Sequence, residues 1–558
     1  MDRNLGAIAD NTFDLVVIGG GIYGACIAWE AVLRGLSVAL FERGDFCGAT
    51  SANSLKIIHG GFRYLQHADL HRMRESIRER RTLMRLAPHL VHPLHVVIPN
   101  YGHSIRGREV SQIAVLLNEI ISADRNRLGD PQKIIPAGKT ISKQACMHML
   151  PGLPEKDLSG GTIFYDAQVT NSERLVLAFL FSAKQRGAQI MNYAQVTGFL
   201  WAGDRVTGVE VEDVLSRNRA TIRARLIINA AGPWIGTVLD LLGKNRPPHR
   251  FQLAKAVNVI TRQLFAGFAV GLPGENGYRE SPLEAHRSKS FLFVAPWRNR
   301  SLIGTIYSAL GEDPDQDLTT RGEISYLLRE INLAYPPAKL RDDEVVFIHR
   351  GLLPRLGTSI ENGVVHLKKH YRILNHRSEG IDGLITVEGV KYTTSRDVAQ
   401  TVIDQVFKIW GHTPPPSLSA DTPLDGGQIE HFVDFLQVET AKRPYGLDKE
   451  QISNLVYNYG SQHSKVLSYF NPNYVESRPM PVNLMLLQAQ VRHAVHEEMA
   501  VKLTDVIFRR TDLGSAGQPD EEIVTFCAQV MGAELSWDHD RVTQERAEVN
   551  RVFQAETN

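Results

Sequence analysis

The chain has 558 residues, of which 43% are hydrophobic and 22% are charged, a composition typical of a globular rather than a disordered or fibrous protein. With 62 basic and 61 acidic residues the formal net charge is +1, which gives no reason to expect a nucleic-acid partner. The four cysteines form no CxxC pair, which argues against a disulfide scaffold or a zinc ribbon and fits a reducing cytosol, and neither a secretory signal nor a membrane-spanning run is predicted.

The first predicted elements form a βαβ unit. Residues 13–18 (FDLVVI) make a short apolar run typical of a buried parallel strand, and a helix follows to Arg34. Gly35 ends that helix, and residues 37–41 (SVALF) form a second buried strand that Glu42 closes.

Later segments alternate between strand-like and helix-like patterns. Strands are predicted over 224–230, 291–295, 302–304 and 383–387, the second and third paired, and a helix is predicted over 393–409. The proline-rich stretch 411–424 is a predicted linker. Beyond it, 425–558 has few strand signals, and helices are expected over 449–470 and 482–510, so this part is predicted to be a separate helical domain.

The glycine-rich turn after the first strand carries the dinucleotide-binding fingerprint. Gly19-x-Gly21-x-x-Gly24 separates the predicted strand from the helix. Gly19 permits the tight turn, Gly21 lets the backbone approach a pyrophosphate, and Gly24 lets the helix pack on the sheet. The helix N-terminus attracts phosphate, and Glu42 can accept hydrogen bonds from a ribose. The alternative, a glycine-rich turn without ligand, is disfavoured because strand, helix and acid are all in register.

Two further segments favour FAD over NAD. Residues 49–65 (ATSANSLKIIHGGFRYL) are too polar and glycine-rich for a strand or a helix core, and can lay backbone N–H groups along an extended cofactor. Thr50 and Ser51 are the contacts expected there. Residues 229–234 (NAAGPW) close a later strand as a second flavin-contacting turn, at Ala231 and Gly232.

These motifs resemble those of the FAD-dependent glycerol-3-phosphate dehydrogenases, within the wider D-amino-acid-oxidase-like flavoproteins. The matching stretches are DLVVIGGGIYGACIA, ATSANSLKIIHGGFRYL, LAPHLVHPL, NAAGPW, GVKYTT and VHEEMAVKLTDVIFRRTDLG, which together run from residue 14 to residue 514. The resemblance implies a noncovalent FAD, hydride removal from a secondary alcohol and electron delivery to a quinone. The expected fold is α/β: a Rossmann-like FAD-binding domain over 1–410, with an inserted substrate-binding β-sheet from about 90–160 and 240–355, then the all-helical C-terminal domain.

The resemblance places catalytic candidates in the HGGFRYL stretch. Arg63 looks like the family's active-site arginine, with a structural ion pair as its alternative role. Tyr64 either contacts the substrate or packs. His59 is a candidate base, or a turn histidine that is only hydrogen-bonded.

The GVKYTT stretch supplies the remaining flavin-side candidates. Lys391 falls where the family has a lysine close to the flavin, and a cation there stabilises the reduced, anionic flavin. Gly389 precedes it as a cofactor contact. Thr393 and Thr394 follow at a predicted helix start, where they either meet the flavin or cap the helix.

The substrate side departs from the family pattern. Where the family has Lys-Gly-Ser/Thr-His, this chain has KAVN at 255–258, so a candidate base is absent. Gly-Thr-Thr-Asp becomes GTIY at 304–307, Gly-Val-Arg-Pro-Leu becomes GLLPR at 351–355, and Val390 replaces the second glycine of a GGK run. The substrate-binding candidates are Arg63, Tyr64, Lys255, Asn258, Tyr307, Arg350 and Arg355. Because Leu353 takes the place of a phosphate-binding arginine, we expect a retained flavin site beside a changed pocket that turns over glycerol 3-phosphate poorly.

No metal site is predicted. His89, His92 and His95 have HxxHxxH spacing, but Pro93 interrupts any helix there. Residues 496–500 (HEEMA) lack the second histidine of a zincin.

Two amphipathic segments are candidates for an interaction surface. Residues 69–86 carry six arginines and an apolar face, and 110–121 is a second apolar helix candidate. The segments are either solvated helices packed on the core or an interfacial surface that holds the enzyme near the quinone pool.

We therefore expect an FAD-dependent dehydrogenase that oxidises the secondary alcohol of glycerol 3-phosphate, or of a related polyol phosphate or hydroxylated anion, with a quinone as acceptor. The alternatives are an FAD-dependent amine or hydroxy-acid oxidase that reduces oxygen, and a flavin-binding partner protein without turnover. The expected location is the cytoplasm, either in solution or on the inner face of the cell membrane. The oligomeric state, a homo-oligomer included, stays open.

Overall fold

The computed structural model of the protein describes residues 3–67, 69–102, 108–245, 247, 249–274, 290–316, 320–357, 365–470 and 481–554. Two β-sheets, of eight and nine strands, are surrounded by helices, which confirms the α/β fold class.

The strands, in chain order, are β1 Thr12–Ile18, β2 Val38–Phe41, β3 Ile57–Ile58, β4 Val91–Tyr101, β5 Lys139–Ser142, β6 Leu158–Val169, β7 Gln189–Met191, β8 Ala194–Ala202, β9 Arg205–Asp213, β10 Arg219–Asn229, β11 Leu253–Arg262, β12 Ala269–Gly274, β13 Ser290–Trp297, β14 Arg300–Leu310, β15 Phe347–Pro354, β16 Arg372–Asn375 and β17 Leu384–Glu388. The helices are α1 Leu5–Ala9, α2 Ile22–Leu33, α3 Leu70–Leu86, α4 Arg108–Ile121, α5 Lys143–Met149, α6 Ser172–Gln185, α7 Ile235–Asp240, α8 Arg321–Ala334, α9 Ser395–Ile409, α10 Phe432–Lys442, α11 Lys449–Tyr459, α12 His463–Leu467, α13 Val482–Glu498, α14 Leu503–Asp505, α15 Glu521–Leu535 and α16 His539–Gln554.

The first sheet has the order β16-β17-β10-β1-β2-β7, with the β8–β9 hairpin joined to β10. Leu15 and Val17 pack into the cluster formed with α2, α6 and α9, whereas Val16 and Ile18 pack into a cluster on the opposite face. The two-residue alternation of a strand therefore buries both faces of β1.

The carboxyl ends of four parallel strands of this sheet align at one edge. Ile18 lies in register with Phe41 of β2 and Asn229 of β10, and Asn229 lies in register with Thr386 of β17. The segments that follow these strands are therefore neighbours in space, although they are hundreds of residues apart in sequence. In open α/β sheets this is the edge at which ligands bind.

The second sheet has the order β15-β11-β14-β13-β12-β4-β6-β3, with β5 paired to β6. It draws its strands from 57–58, 91–169 and 253–354, compared with the predicted segments of about 90–160 and 240–355. On one face Val257 and Ile348 pack beneath α8 against Leu327 and Ile331.

The C-terminal part consists of α10 to α16, but the two long predicted helices are divided. The predicted helix 449–470 is interrupted at Gly460, which caps α11 with φ +54°. The predicted helix 482–510 stops at Glu498, because Met499 adopts the left-handed region with φ +56°. This break lets the Glu498 carbonyl accept hydrogen bonds from the Arg510 guanidinium, a contact that local periodicity does not reveal.

Buried polar contacts dock these helices onto the α/β part. Arg510 donates to both carboxylate oxygens of Asp45, at 2.7 and 2.8 Å, and Arg509 donates to the same carboxylate at 2.5 Å. Arg174 pairs with Glu498 at 2.6 Å. The VHEEMA…RRT stretch is thus where the two parts of the chain are joined.

The proline-rich segment 411–424 is packed rather than extended into solvent. Ser417 hydrogen-bonds Glu30, Ser419 accepts from Arg396, and Leu424 is fully buried. Among the described residues, no helix combines the length and the apolar composition needed to cross a bilayer.

Candidate active site

The turn between β1 and α2 is closed by glycines that leave no room for side chains. Gly19 has φ +109°, and a Cβ on it would lie 2.7 Å from the Ala230 carbonyl oxygen. A Cβ on Gly24 would lie 1.9 Å from the Gly19 carbonyl oxygen. Gly19 therefore packs against the turn after β10, and Gly24 lets α2 approach β1.

Gly21 differs from these two glycines because it borders open space. A Cβ on Gly21 would meet only the Ser51 hydroxyl oxygen, at 3.2 Å. Gly21 is also the N-cap of α2 and provides no side chain to cap the helix. Ser51 accepts from the Ile22 N–H at 3.0 Å, so it lies directly at this helix N-terminus. The positive end of α2 and its polar neighbour suit a pyrophosphate.

Glu42 lies at the end of β2 beside the same turn. Its carboxylate accepts from the N–H groups of Gly20 at 2.7 Å and Gly44 at 2.9 Å. Burial raises the pKa of Glu42, and these two hydrogen bonds act against that rise. A carboxylate has about four acceptor sites, so capacity for ribose hydroxyl groups remains.

The segment 49–54 connects the two sheets. The Thr50 hydroxyl donates to the Leu352 carbonyl at 3.1 Å and accepts from the Leu352 N–H at 3.0 Å. A Cβ on Gly351 would lie 2.9 Å from the Asn53 carbonyl oxygen. Thr50 is therefore engaged in docking β15 onto this segment, whereas Ser51 faces α2.

The turn after β10 supplies Ala231 and Gly232. The Ala231 N–H donates a hydrogen bond to the Asn229 side-chain oxygen at 3.3 Å, and the Ala231 Cα would lie 2.9 Å from a Cβ on Gly19. Gly232 has φ +58° and no neighbour within 4 Å of a Cβ position. The two turns thus abut at the carboxyl edge of the first sheet.

The turn after β17 is fixed by Tyr23 of α2. The Tyr23 hydroxyl donates to the Lys391 carbonyl at 2.8 Å and accepts from the N–H groups of Val390 and Lys391 at 3.1 and 3.2 Å. A Cβ on Gly389 would lie 2.2 Å from the Tyr23 ring. Gly389 thereby lets the turn lie against this ring.

Thr393 and Thr394 are both buried at the start of α9. Thr394 occupies the N-cap position, but its side chain makes no capping hydrogen bond. The Thr394 side chain therefore does not cap α9, which was one of the two roles considered for these threonines.

Lys391 belongs to a cluster of cations and aromatic rings around Tyr64. The Lys391 Nζ lies 4.4 Å from the Tyr64 ring centroid, and the Arg72 guanidinium carbon lies 4.3 Å from it. The His59 ring meets Tyr64 edge-on at 5.8 Å. Arg63 lies in the short 3₁₀ helix Phe62–His67 that carries Tyr64, but the Arg63 side chain is outside the described part of the structure.

His59 is neutral near pH 7. Burial lowers the pKa of His59 to about 3, and the charges of Lys391, Arg72 and Arg80 act in the same direction. Accepting a proton would place a further positive charge beside those cations, so the protonated form of His59 is unfavourable.

The predicted substrate residues lie on two different faces of the second sheet. Val257 packs beneath α8, and its face of the sheet also carries Lys255, two residues earlier on β11, and Arg350, its direct partner on β15. The Lys255 ammonium pairs with Glu323 of α8 at 2.8 Å. Asn258 lies on the opposite face and accepts from the Thr305 hydroxyl at 2.6 Å. Tyr307 pairs with Ala256 and shares the face of Asn258.

Arg355 is buried at the end of β15. Its guanidinium donates to the Gly357 carbonyl at 2.9 Å and to the Gln252 side-chain oxygen at 3.0 Å. Arg350 and Arg355 were the candidates to replace the family's phosphate-binding arginine, whose position is held by Leu353. The contacts above hold the Arg355 guanidinium, and Arg350 lies on the α8 face of the sheet.

His349 is a buried residue that the sequence analysis missed. It lies directly across from Asn258, and its Nδ1 is 3.2 Å from the Asn53 side-chain oxygen. Within the described ranges its Nε2 is buried and has no hydrogen-bond partner. This nitrogen lies on the side of the sheet that faces segment 49–54, and a hydrogen-bonding group of a bound ligand would satisfy it.

One group of metal-type ligands occurs among the described residues, away from this edge. His249, His376 and Glu379 place their ligand atoms within 4.8 Å of one another. Glu379 accepts hydrogen bonds from both imidazoles, at 2.5 and 2.7 Å. The three residues form a hydrogen-bonded triad beside β16.

The glycine turns, the α2 N-terminus, Glu42 and the His349 nitrogen together fit an extended flavin dinucleotide. A model of the FAD-dependent oxidoreductase family matches residues 14–385, and a model of the C-terminal domain of alpha-glycerophosphate oxidase matches residues 417–542. The protein is therefore an FAD-dependent oxidoreductase, and FAD is its cofactor.

Similarity over nearly the whole chain narrows this class. A glycerol-3-phosphate dehydrogenase of Synechocystis sp. is 32% identical over 516 residues, which are 91% of this chain and 90% of that one. A glycerol-3-phosphate dehydrogenase of Mycobacterium leprae is 30% identical over 98% of this chain and 88% of its own length. The chain belongs to the family of FAD-dependent glycerol-3-phosphate dehydrogenases.

A solved structure agrees with this membership. The glycerol-3-phosphate dehydrogenase of Bacillus halodurans complexed with FAD is 25% identical, with a TM-score of 0.78, and the match covers 99% of this chain and 97% of that one.

Proposed function

We propose that the protein oxidises the secondary alcohol of a polyol phosphate, glycerol 3-phosphate or a close relative, and passes the electrons to a quinone. The names of the curated relatives support the reaction type. The observation that carries the substrate class is the pair of cations, Lys391 and Arg72, at the carboxyl edge of the first sheet, since an anionic substrate needs opposite charge there.

FAD, when bound, supplies a two-electron acceptor for the hydride that leaves the carbinol carbon. The residues of the chain have the task of holding the alcohol in position and balancing the charge that develops. Lys391 is proposed to stabilise that negative charge, and Tyr23 holds the Lys391 backbone while it does so. The hydroxyl proton leaves as the carbon–oxygen double bond forms. The candidate acceptor His59 is neutral and would pass this proton on, because nearby cations disfavour its charged form.

The changed motifs bear on which polyol phosphate is preferred. Leu353 is apolar, Arg355 is engaged by Gln252 and Gly357, and Arg350 lies on the α8 face. We therefore expect glycerol 3-phosphate to be oxidised less efficiently than another polyol phosphate or hydroxylated anion. The test is anaerobic bleaching of the flavin by a panel of phosphorylated and unphosphorylated polyols. Failure of every phosphorylated polyol to bleach it would refute the proposed substrate class, and a specificity constant highest for glycerol 3-phosphate would refute the changed preference.

The proposed quinone acceptor needs a route to the membrane, and of the two segments considered for an interaction surface we favour α4 over α3. The arginines of α3 form ion pairs with carboxylates of the protein: Arg74 and Arg81 with Asp124, Arg78 with Asp397, Arg80 with Asp166, and Arg85 with Asp421. In contrast, α4 exposes an apolar row in which Ile113, Leu116 and Ile120 are 59, 61 and 64% exposed. A row at this spacing on one helix face suits burial in a lipid interface.

We propose that α4 is the membrane-binding surface. Leu116→Gln combined with Ile120→Gln should reduce cosedimentation with lipid vesicles and the rate with a membrane-embedded quinone, but not the rate with a soluble dye acceptor. Leu333→Gln, which replaces a similarly exposed leucine of α8, is the matched control. Equal vesicle binding by the double variant would remove α4 from this role.

A second acceptor, oxygen, is favoured by one observation. The model that matches residues 417–542 is that of an alpha-glycerophosphate oxidase. Rapid reoxidation of the reduced protein by air with stoichiometric peroxide would identify an oxidase, whereas slow reoxidation by air and fast reoxidation by a quinone would identify a dehydrogenase.

A further inference from the structure

Two cations converge on one buried aromatic ring. The Arg72 guanidinium carbon and the Lys391 ammonium nitrogen are each within 4.4 Å of the Tyr64 ring centroid, so these two charges lie within about 9 Å of each other. Arg72 is only 3% exposed. Two like charges at this separation repel each other, and an anion that contacts both of them relieves that repulsion.

Charged groups of both signs surround this pair. His370 lies near both cations, since the charges of Arg72 and Lys391 act with burial to lower its pKa. The nearby carboxylates are Asp69, which is 3.3 Å from the Arg72 Nη1, and Glu75, which interacts with Lys391. In the part of the chain that the structure describes, the two cations of the pair therefore lie near two carboxylates, one of which contacts Arg72 directly.

The position of Arg72 on its helix is electrostatically unfavourable. Arg72 lies in the first turn of α3, whose N-cap is Asp69. The N-terminus of a helix carries a partial positive charge, which favours acidic residues and disfavours a cation. Arg72 is therefore unfavourable in two ways: a cation lies at the positive end of a helix, and a second cation, Lys391, lies nearby. Such unfavourable placements are concentrated at functional sites.

The geometry points to Arg72 as a specificity residue: we propose that Arg72 and Lys391 together hold the anionic end of the substrate beside Tyr64. The proposal deepens the proposed function and rests on it. It moves the anion-binding charge from the β15 strand, where Leu353 is apolar, to the first turn of α3. A cation at a new place changes the length of polyol that fits between the anion site and the reacting carbon.

The test uses the FAD-loaded full chain and inorganic phosphate as probe. Phosphate binding is followed by the change in the visible spectrum of the flavin, and turnover is measured with the best polyol phosphate of the panel and with the corresponding unphosphorylated polyol. For Arg72→Met we expect a 10- to 100-fold weaker affinity for phosphate and a KM for the phosphorylated substrate raised to the same extent, because charge-assisted hydrogen bonds are lost. The specificity constant for the unphosphorylated polyol should stay within about threefold of wild type.

Matched variants separate this role from a structural one. Arg74→Met removes an exposed arginine of the same helix, which pairs with Asp124, and should leave phosphate affinity unchanged. Arg72→Lys retains the charge and should recover most of the affinity, and it also decides the question if Arg72→Met fails to fold. Wild-type affinity for phosphate in a folded Arg72→Met, or a loss in Arg72→Lys as large as in Arg72→Met, would overturn the proposal. So would a wild-type protein that binds no phosphate. Phosphate binding that depends on Arg72 without oxidation of any polyol phosphate would support the site and refute the proposed function alone.

Discussion

The hydroxyl of Tyr23 donates a hydrogen bond to the backbone carbonyl of Lys391, 368 residues further along the chain, at 2.8 Å. Tyr23 belongs to the first helix of the dinucleotide-binding unit, and Lys391 belongs to the last turn of the same sheet edge. A direct hydrogen bond therefore connects the helix of the glycine fingerprint to the turn after β17, and α2 sets the position of the Lys391 backbone.

Replacement of Tyr23 by phenylalanine tests this coupling. Tyr23→Phe keeps the ring against which Gly389 packs and removes the three hydrogen bonds of the hydroxyl. Each is worth about 1 kcal/mol net, so we expect flavin reduction by substrate to slow by about 5- to 30-fold, with FAD retained. Tyr392→Phe is the control, because it deletes a hydroxyl that donates to the Ser172 carbonyl. Equal rates for Tyr23→Phe and wild type in single-turnover reduction would show that Lys391 is held by other contacts.

Lys391→Met should act on the chemical step. Lys391 is proposed both to help Arg72 hold the substrate anion and to balance the charge that develops as the hydride is transferred. Because Arg72 still binds the anion in this variant, the loss should be larger in the reduction rate than in substrate affinity. We expect the rate to fall by about 100-fold, the scale observed when one such electrostatic contact is removed. Lys408→Met, at an exposed position of α9, is the control. A reduction rate unchanged in stopped-flow measurements would exclude Lys391 from the mechanism.

Substitutions at the fingerprint glycines should have two different effects, one on stability and one on FAD binding. A side chain at Gly24 would meet the Gly19 carbonyl oxygen at 1.9 Å, so Gly24→Ala should destabilise the protein even without FAD. A side chain at Gly21 meets only the Ser51 hydroxyl, at 3.2 Å, so Gly21→Val should fold but lose FAD because it fills pyrophosphate space. Thermal denaturation of the apoprotein together with FAD titration distinguishes the two effects. Tight FAD binding by Gly21→Val would contradict the assignment of the turn at Gly21 as the pyrophosphate-binding site.

The first βαβ unit could be predicted closely because its signals are local. Residues 13–18 and 37–41 became Thr12–Ile18 and Val38–Phe41, and the family and its cofactor followed from short motifs of the same kind. The break at Met499 could not be predicted, because the contact made possible by it, between the Arg510 guanidinium and the Glu498 carbonyl, does not follow helical spacing. The partners of the α3 arginines are also distant in sequence, so a helix whose arginines pair with carboxylates of the protein resembled an unpaired basic surface. The placement of Arg72 beside Tyr64 had one local indication, a cation in the first turn of a helix.

Buried histidines should make the protein sensitive to acid. Burial lowers the pKa of His89 to about 3, with Lys133 and Arg174 acting in the same direction, whereas the unfolded value is about 6.5. Between these values the unfolded chain binds the proton and the native chain does not. The free energy of unfolding therefore falls as the pH drops below about 6.5, by about 1.4 kcal/mol per pH unit for this group, and this contribution is fully present above 6.5.

The variant His89→Gln should reduce the slope of stability against pH between 4 and 6, whatever its stability at neutral pH. Urea unfolding at several pH values measures this slope. His412→Gln, at an exposed histidine, should leave the slope of the wild type intact. A slope equal to that of the wild type in His89→Gln would mean that His89 is protonated in the folded protein.

The pair of Asp45 and Arg510 should be a major stabilising contact between the two parts of the chain. Both side chains are fully buried, and Arg510→Met leaves the Asp45 carboxylate with Arg509 as its charged partner and the Asn192 amide as a hydrogen-bond donor. Removing one partner of a buried ion pair costs about 3–5 kcal/mol. Arg546→Met, which breaks an exposed pair with Glu521, should cost at most about 1 kcal/mol. Similar shifts in the thermal midpoint for the two variants would show that the buried pair is not important for docking.

The same contact determines when the cofactor edge can be completed during synthesis. Asp45 lies three residues beyond Glu42 and is made early, but its partner Arg510 is 465 positions later. Until at least residue 510 has left the ribosome, the Asp45 carboxylate in the loop that follows β2 lacks both of its arginine partners. Because domains fold as they emerge, the amino-terminal sheet of the nascent protein must wait in an incomplete state, and capture of FAD is expected to be a late, post-translational event.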